Sequence, residues 1–561
     1  MQHIIITHNS SSLKKINKAL IVFLISLTFF YTSVNAQQNY QLNRQWGLDA
    51  EEANSSISKN NYFTTPDDSA EVNYSSFKPS IRTPQQPTKN KTRPYLKRKF
   101  SNESLIVVND TTDKFYLTVD PLFNFEGSIN RADNNQKLYK NTRGFLVRGG
   151  IGKKFYFESS DYENQATFAP YIDQYIATTG SLNYNTAIVP GQGRAKPFKA
   201  TGYDFSMASG YVSYSPNNYF NLQAGHGKHF IGDGYRSLIL SDNAFNYPYA
   251  RITSTYKMIQ YINLYTVFMN LSNSGLITPP GEQALYQKKI GNYQMLNINF
   301  GKRFQLGLVQ AMIWQPADSI NKQHVNFNTF DPLIGANTAI YGLHNKNNIL
   351  LGATFKLKVT NSISLYGQYI LDDVPEKGSA TSIDKKSGYQ LGFKYFNLFT
   401  IKKLRLQAEF NSVRPYTYAA ANSQESYTHY NQALADPLGA NFREAIIFLN
   451  YNIKKFFIQL QVNYAVKGDD YNGYNFGGNV FNSDNSFPLG QNLNSITTTQ
   501  GLKTTINYQD FQIGYLVNPA TNFNIVFGIT NRTAKTDITM QQAEIIYFGI
   551  RTSLTNVYYD F

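Results

Sequence analysis

The chain has 561 residues but no cysteine, 2 Trp, 7 His and only 16 % charged residues. Without cysteine it carries no disulfide, no thiolate metal site and no lipid on an N-terminal cysteine. His226 and His229 stand three apart with neither a carboxylate nor a third His at ligand-like spacing, so no metal and no cofactor are expected. Gly225-His226-Gly227-Lys228 lacks the Ser or Thr and the helix that a phosphate-binding loop needs. No Gly-x-Ser-x-Gly elbow occurs, and the carboxylate pairs Asp372-Asp373 and Asp469-Asp470 fall in polar connections, so catalysis is not expected. After residue 36 no apolar run approaches the roughly 20 residues of a membrane helix. With mean hydropathy −0.38 and so few charges, the chain is also not an ordinary soluble protein.

What is abundant is aromatic: 42 Tyr and 40 Phe. Many Tyr, Phe, Asn and Gly with few charges fit an all-β, transmembrane outer-membrane antiparallel barrel, which alternates apolar and polar residues and anchors itself with aromatic girdles. The N-terminus reads as an export signal. Lys14, Lys15 and Lys18 form its basic end, Ala19 to Tyr31 its apolar core, and Val34-Asn35-Ala36 its cleavage site, so residues 1–36 are read as removed. Residues 37–113 read as a largely irregular periplasmic arm, broken by Pro66, Pro79, Pro84, Pro87 and Pro94. Its basic residues (Lys78, Arg82, Lys89, Lys91, Arg93, Lys97, Arg98, Lys99) are either a solvated run or a contact for anionic lipid headgroups. The net charge of +15 does not point to nucleic acid in an exported chain.

Residues 114–561 read as the barrel. Leu404, Leu406, Ala408 and Phe410 alternate with Arg405, Gln407 and Glu409, and Ile458, Leu460, Val462 and Tyr464 alternate with Gln459, Gln461 and Asn463. Alternation alone does not separate a soluble sandwich from a membrane barrel. Connection lengths do. Tight links are expected at 151–153, 215–217, 253–255, 301–303, 360–361, 398–400, 453–455 and 518–520. Long polar connections are expected at 129–142, 166–201, 233–249, 272–292, 316–346, 372–386, 414–442, 467–500 and 533–542. Short and long alternate, which gives about 18 strands with short periplasmic turns and long external loops. Arg148 and Glu158 flank the first tight turn with shared parity and are expected to pair inside the lumen. Phe561, an aromatic last residue after an amphipathic strand, is read as the mark recognised by the barrel-assembly machinery.

The loop after strand Phe220–Gly225 is the candidate site. Asp233, Arg236, Asp242 and Asn243 offer hydrogen-bonding groups, and Tyr235, Tyr247 and Tyr249 offer flat apolar faces. That mixture suits sugars. Gln192 and Arg194, in Val189-Pro190-Gly191-Gln192-Gly193-Arg194, extend it, and an anionic polysaccharide would suit Arg194 and Lys196. The plainer reading is that both loops fold over the mouth and serve local structure.

The stretch YVSYSPNNYFNLQAGHGKHFIGDGYRSLILSDNAFNYPYARI, with VPGQGR, DPLFNFE and the closing FGIRTSLTNVYYDF, resembles the Bacteroidetes outer-membrane proteins called RemB, named for gliding motility. It is more distantly similar to the capsule-assembly family Wzi. The resemblance runs from about Glu103 to Phe561. It implies an eighteen-stranded barrel, a non-enzymatic role at the cell surface with polysaccharide or a motility adhesin as partner, and, for the Wzi branch, attachment of capsular polysaccharide. A porin or transporter using the lumen is the alternative.

Overall fold

The computed structural model describes residues 38–39, 42–55, 72–73, 75–79, 81–82, 94–110, 112, 114–152, 154–183, 186–271, 286–315, 333–335, 348–372, 385–488, 490–492 and 495–561. The expected export signal, the basic residues Lys89, Lys91 and Arg93, and most of the long connections after Leu271, Gln315 and Asp372 lie outside the described residues.

The wall runs antiparallel from Phe115–Asn130 to Met540–Arg551, and these two strands pair with each other to close the ring. It contains eighteen strands once the short accessory strands Ile106–Asp110 and Lys196–Phe198 are set aside. Its two faces settle what alternation left open. Along Leu404–Val413 the polar Arg405, Gln407, Glu409 and Asn411 are buried, while Phe410 is 37 % exposed. Phe511, Ile525, Phe527 and Ile529 are exposed in the same way. A soluble sandwich would show the reverse. Polar groups are buried only where partners await them, and apolar rows this extensive need lipid. The molecule is an outer-membrane barrel.

Tight turns gather on one rim, at 152–154, 218–219, 257–258, 301–303, 359–362, 397–403, 454–455 and 519–522. The expected turn at Thr253-Ser254-Thr255 lies slightly later, because Tyr256 still pairs with Ile259. Two connections expected to be long are short. Residues 131–135 and 536–539 are turns, because Gln136 pairs with Asn130 and Lys535 with Met540. The polar residues around them belong to strand ends that continue beyond the apolar band. Arg148 lies across from Glu158 in backbone register, and its guanidinium donates to Asp120 Oδ2 of the other neighbouring strand at 2.9 Å.

The seam between first and last strands is composite. Met540–Arg551 covers Asn124–Asn130, and Ile106–Asp110 covers Phe115–Val119 below it. The lower place is free because the chain leaves the wall after Arg551. Thr552–Phe561 turns into the lumen instead of ending the last strand, and Tyr558 and Asp560 are buried there. Phe561 packs its ring 4.9 Å from Tyr175 in the helix Pro170–Thr179, part of the long-loop end. The terminal aromatic residue is therefore not the end of a wall strand. The sequence gives it an amphipathic approach, but Arg551 is the last residue whose pairing the wall accepts.

Other segments share the lumen. The helix Arg44–Asn54 enters at the short-turn rim, where Glu51 meets Lys394 at 2.5 Å and Arg405 binds both Asp49 and Glu52. Phe77–Lys78 pairs with Phe230–Ile231 inside the barrel. These parts of the arm are not a solvated run: the acidic side chains of the helix meet cations of the wall, Phe77 packs beside Ile231, and Lys78 meets Glu51 at 3.4 Å.

With tail, arm helix and inward loops inside it, the lumen is obstructed. The intact protein is expected to give little steady conductance in planar bilayers. Removal of residues 552–561 is expected to raise the conductance with arm helix and loops still in place, and equal quiet from both forms would show that the tail adds nothing to the obstruction.

Candidate functional site

The loop 228–246 folds inward, and close backbone approach is what allows it. A Cβ on Gly234 would stand 2.4 Å from Glu409 Oε2. Its absence lets the amides of Tyr235 and Arg236 donate to Glu409 at 2.7 and 3.0 Å. Arg236 is then carried into the centre of the lumen, 1 % exposed. It binds Glu444 of the wall through Nε and Nη2 at 3.3 and 3.0 Å, and Nη1 stands 3.2 Å from Asp560 of the tail. Asp436, from the loop 414–441, lies 3.8 Å away. Burial, with Glu444 alongside, pushes the Asp436 carboxyl well above its usual range.

The same loop ties down its other residues. Asp233 accepts from Ser76 of the arm at 2.7 Å and meets Lys356 at 3.3 Å. Asp242 accepts from Tyr558 at 2.6 Å and from Asn556 at 3.0 Å. Asn243 donates to the Ala433 carbonyl, and the Tyr247 hydroxyl accepts from the His229 amide. Tyr249 meets the His229 ring edge-on at 4.4 Å. Tyr235 donates to Asp560 at 2.9 Å. Asp233, Arg236, Asp242, Asn243, Tyr247 and Tyr249 are thus sealed in the barrel. They do not form the open saccharide surface expected of them. The side chains of Asp233, Arg236, Asp242 and Asn243 find partners 123 to 324 positions away, such as the tail, which residue type alone does not reveal.

The second loop turns as its sequence dictates. Pro190 and Gly191 occupy the centre of a turn closed by the Gln192 amide donating to Val189 O at 2.9 Å, with Gly191 at φ 68°. Gln192 donates to the Tyr559 hydroxyl at 3.0 Å. Gln192 and Tyr235 also line a cavity of about 360 Å³ between the tail and the wall, which includes Glu126, Lys140, Asp510 and Arg551.

Arg194 is placed differently. Strand Gly202–Asn217 outruns its neighbour Phe220–Gly227, and the wall there has a notch near the long-loop rim. A niche of about 120 Å³ lies in that notch, lined by Arg194, Lys196, Asp204, Ser206, Phe245 and Tyr430. Phe245 and Tyr430 hold their rings 4.8 Å apart. Lys196 is exposed, and Arg194 Nη1 is enclosed with no acceptor among the described residues. Sequence reasoning found Arg194 and Lys196 but missed Tyr430. It comes from a loop whose approach depends on the closed barrel.

Replacing Arg236 by Ala leaves Glu444 and Asp560 buried without their cation, at a cost of about 3–5 kcal/mol. The folded band on unheated gels is expected to melt at a clearly lower temperature or to be lost. Arg194→Ala is expected to leave that band unchanged, and equal sensitivity of both variants would contradict this division of roles.

A family model described as the capsule assembly protein Wzi matches residues 116–534. Comparison with curated proteins gives no match. Among solved structures the chain is similar to Wzi of Escherichia coli, described as a carbohydrate binding β-barrel involved in group 1 capsule assembly, at 14 % identity over 77 % of this chain and 85 % of that one, with TM-score 0.46. It is also similar to OprD of Pseudomonas aeruginosa, at 10 % identity over 80 % and 97 %, TM-score 0.40. OccAB2 of Acinetobacter baumannii gives 10 % identity over 77 % and 97 %, TM-score 0.41. The family match extends from the first wall strand into the next to last and takes in both inward loops; the chain belongs to the family of the capsule assembly protein Wzi.

Proposed function

We propose that this barrel holds an acidic surface polysaccharide at its long-loop mouth, without catalysis. The observation that carries the reading is the niche at Arg194. It combines an enclosed guanidinium nitrogen lacking an acceptor among the described residues, an exposed lysine, and two aromatic rings side by side. A sugar carboxylate or phosphate satisfies the cations through charge-assisted hydrogen bonds, and the C–H face of a pyranose lies against an aromatic ring. Long loops face outward in barrels of this class, which puts the niche on the outside. Membership of a capsule-assembly family supports the same partner, and the Escherichia coli Wzi barrel is itself described as carbohydrate binding. In this reading Asp233, Arg236, Asp242, Asn243, Tyr247 and Tyr249 hold the inward loop that presents Phe245. Gln192 and Tyr235 brace the tail beside them.

The lumen-using alternative is disfavoured because tail, arm and loops occupy the lumen. A second reading places the same surface in gliding motility, with a motility adhesin as partner. The FIGDGYRS stretch and its flanks favour it through their RemB resemblance. A deletion strain scored for both colony spreading and polysaccharide retention separates the two.

Each charge-assisted contact contributes about 1.5–3 kcal/mol, or roughly tenfold and upward in affinity. Arg194→Ala combined with Lys196→Ala is therefore expected to weaken binding of purified acidic capsular polysaccharide at least tenfold, and Phe245→Ala less. Salt is expected to weaken the wild type more than the double variant. Unchanged binding in both variants would remove the niche as the site. Loss of lipopolysaccharide binding alone would reassign its anion to lipid.

A further inference from the structure

The short-turn rim carries an exposed basic collar that neither the lumen nor the niche uses. Lys154, Lys257, Lys302, Arg303, Lys402 and Lys454 all project from its turns. Lys154 and Arg303 donate to the backbone carbonyls of Pro216 and Val359, contacts that leave their charge uncompensated. The two short turns on the opposite rim are mixed instead, with Arg131 near Asp133 in one and Asp537 in the other.

Beside this collar lies the helix Tyr95–Ser101, sequence YLKRKFS. None of its residues is buried. Tyr95, Leu96 and Phe100 are 62 %, 68 % and 64 % exposed. Leu96 and Phe100 are four apart and share a face. Lys97 is exposed, and Arg98 and Lys99 flank Glu103 at 3.6 and 3.4 Å. Helix and Glu103 together carry three positive charges against one negative.

The helix is nevertheless held in place. Asn518, at the rim end of Leu502–Asn518, donates to the carbonyls of Lys99 and Glu103, both at 2.9 Å. Asp120 accepts from the Ser104 hydroxyl and the Leu105 amide, both at 3.0 Å. The chain then enters the wall as Ile106–Asp110. Ile106 and Val108 lie opposite Val119 and Leu117 and face lipid with them. The exposed apolar residues of the helix thus stand in the chain just before a strand whose own apolar side chains face lipid.

We infer that the helix Tyr95–Ser101 and the basic collar form a lipid-docking surface that rests on the periplasmic leaflet of the outer membrane and selects acidic glycerophospholipid headgroups. A seven-residue helix has little stability of its own in water. Three exposed large apolar side chains, fixed at the edge of the membrane band, require an apolar neighbour, and acyl chains are the one at hand. Lysines and arginines around that depth match phosphatidylglycerol or cardiolipin phosphates, and each cation near such a surface adds attraction. Aromatic and cationic side chains side by side are the usual anchors of this interface. The surface also takes up the sharper of the two readings of the basic arm, for the part of it that is described.

The test uses the full-length mature protein in bilayers. Leu96→Trp and Phe100→Trp, made singly, report depth, with the unmodified protein and its two native tryptophans as background. In phosphatidylcholine vesicles containing chain-brominated phosphatidylcholine, both new tryptophans are expected to be quenched and blue-shifted. Tryptophans that stay unquenched, whether in water or against protein, would overturn the docking. The second arm measures co-purifying phosphatidylglycerol relative to phosphatidylcholine after reconstitution in an equal mixture. Enrichment is expected to fall several-fold in the variant combining K154Q, K257Q, K302Q and R303Q, with its heat-dependent gel shift retained. Unchanged enrichment in that folded variant would overturn the selection of acidic headgroups.

Discussion

A single buried cation joins four parts of the chain that are distant in sequence. Arg236 arrives on an inward loop, Glu444 stands on the wall, Asp436 comes from a second loop, and Asp560 belongs to the tail that follows the last wall strand. Separately, each would be a charge removed from water, which is strongly unfavourable. Together they satisfy one another, and the lumen closes around them. Gln461 and Asn463 add hydrogen bonds to Asp560, both at 2.7 Å, so that the tail is held from the wall as well as from the loop. Position, more than net stabilisation, is what such a cluster specifies.

Filling the lumen has a consequence for where this protein meets its surroundings. Side chains that would line a channel in an open barrel are consumed by tail, arm and loops. Contact with other molecules is left to the two rims and the lipid-facing belt. At the long-loop rim, the uneven lengths of neighbouring strands leave a notch, and the loops that cross it supply Arg194, Lys196, Phe245 and Tyr430. At the other rim, the composite seam places the helix Tyr95–Ser101 against the membrane edge. The second of these follows from the chain's departure from the wall after Arg551, which frees the lower seam and sends the tail upward inside.

Much of the wall was legible. The alternation of Leu404–Phe410 with Arg405–Glu409 gave the strand and its two faces, because a period of two is a local property of extended backbone, and the alternation of short with long connections gave the barrel. The turn at Gly301-Lys302-Arg303 was legible for a similar reason, since Gly301 takes φ 63°. Residues 131–135 were harder. Lys137, Lys140 and Asn141 look like loop residues, yet they lie on a strand that outruns the apolar band. The site was only partly legible. Asp233, Arg236 and Asp242 carry the groups that bind sugars, and the same groups suit a sealed network equally well. Nothing in residue type distinguishes the two. The acidic run Asp49-Ala50-Glu51-Glu52 likewise gave no sign of Lys394 and Arg405 some 350 positions away.

By itself, then, the sequence determined the extended, two-faced backbone, the tight turns and the membrane setting, because each depends on neighbours within a few residues or on overall composition. Only the tertiary structure decided that the candidate loop faces inward, that the last ten residues leave the wall, and that Arg194 and Lys196 line a niche at the rim. Those outcomes depend on which charges and rings meet once eighteen strands have closed, and closure brings together residues that the linear order keeps hundreds of positions apart.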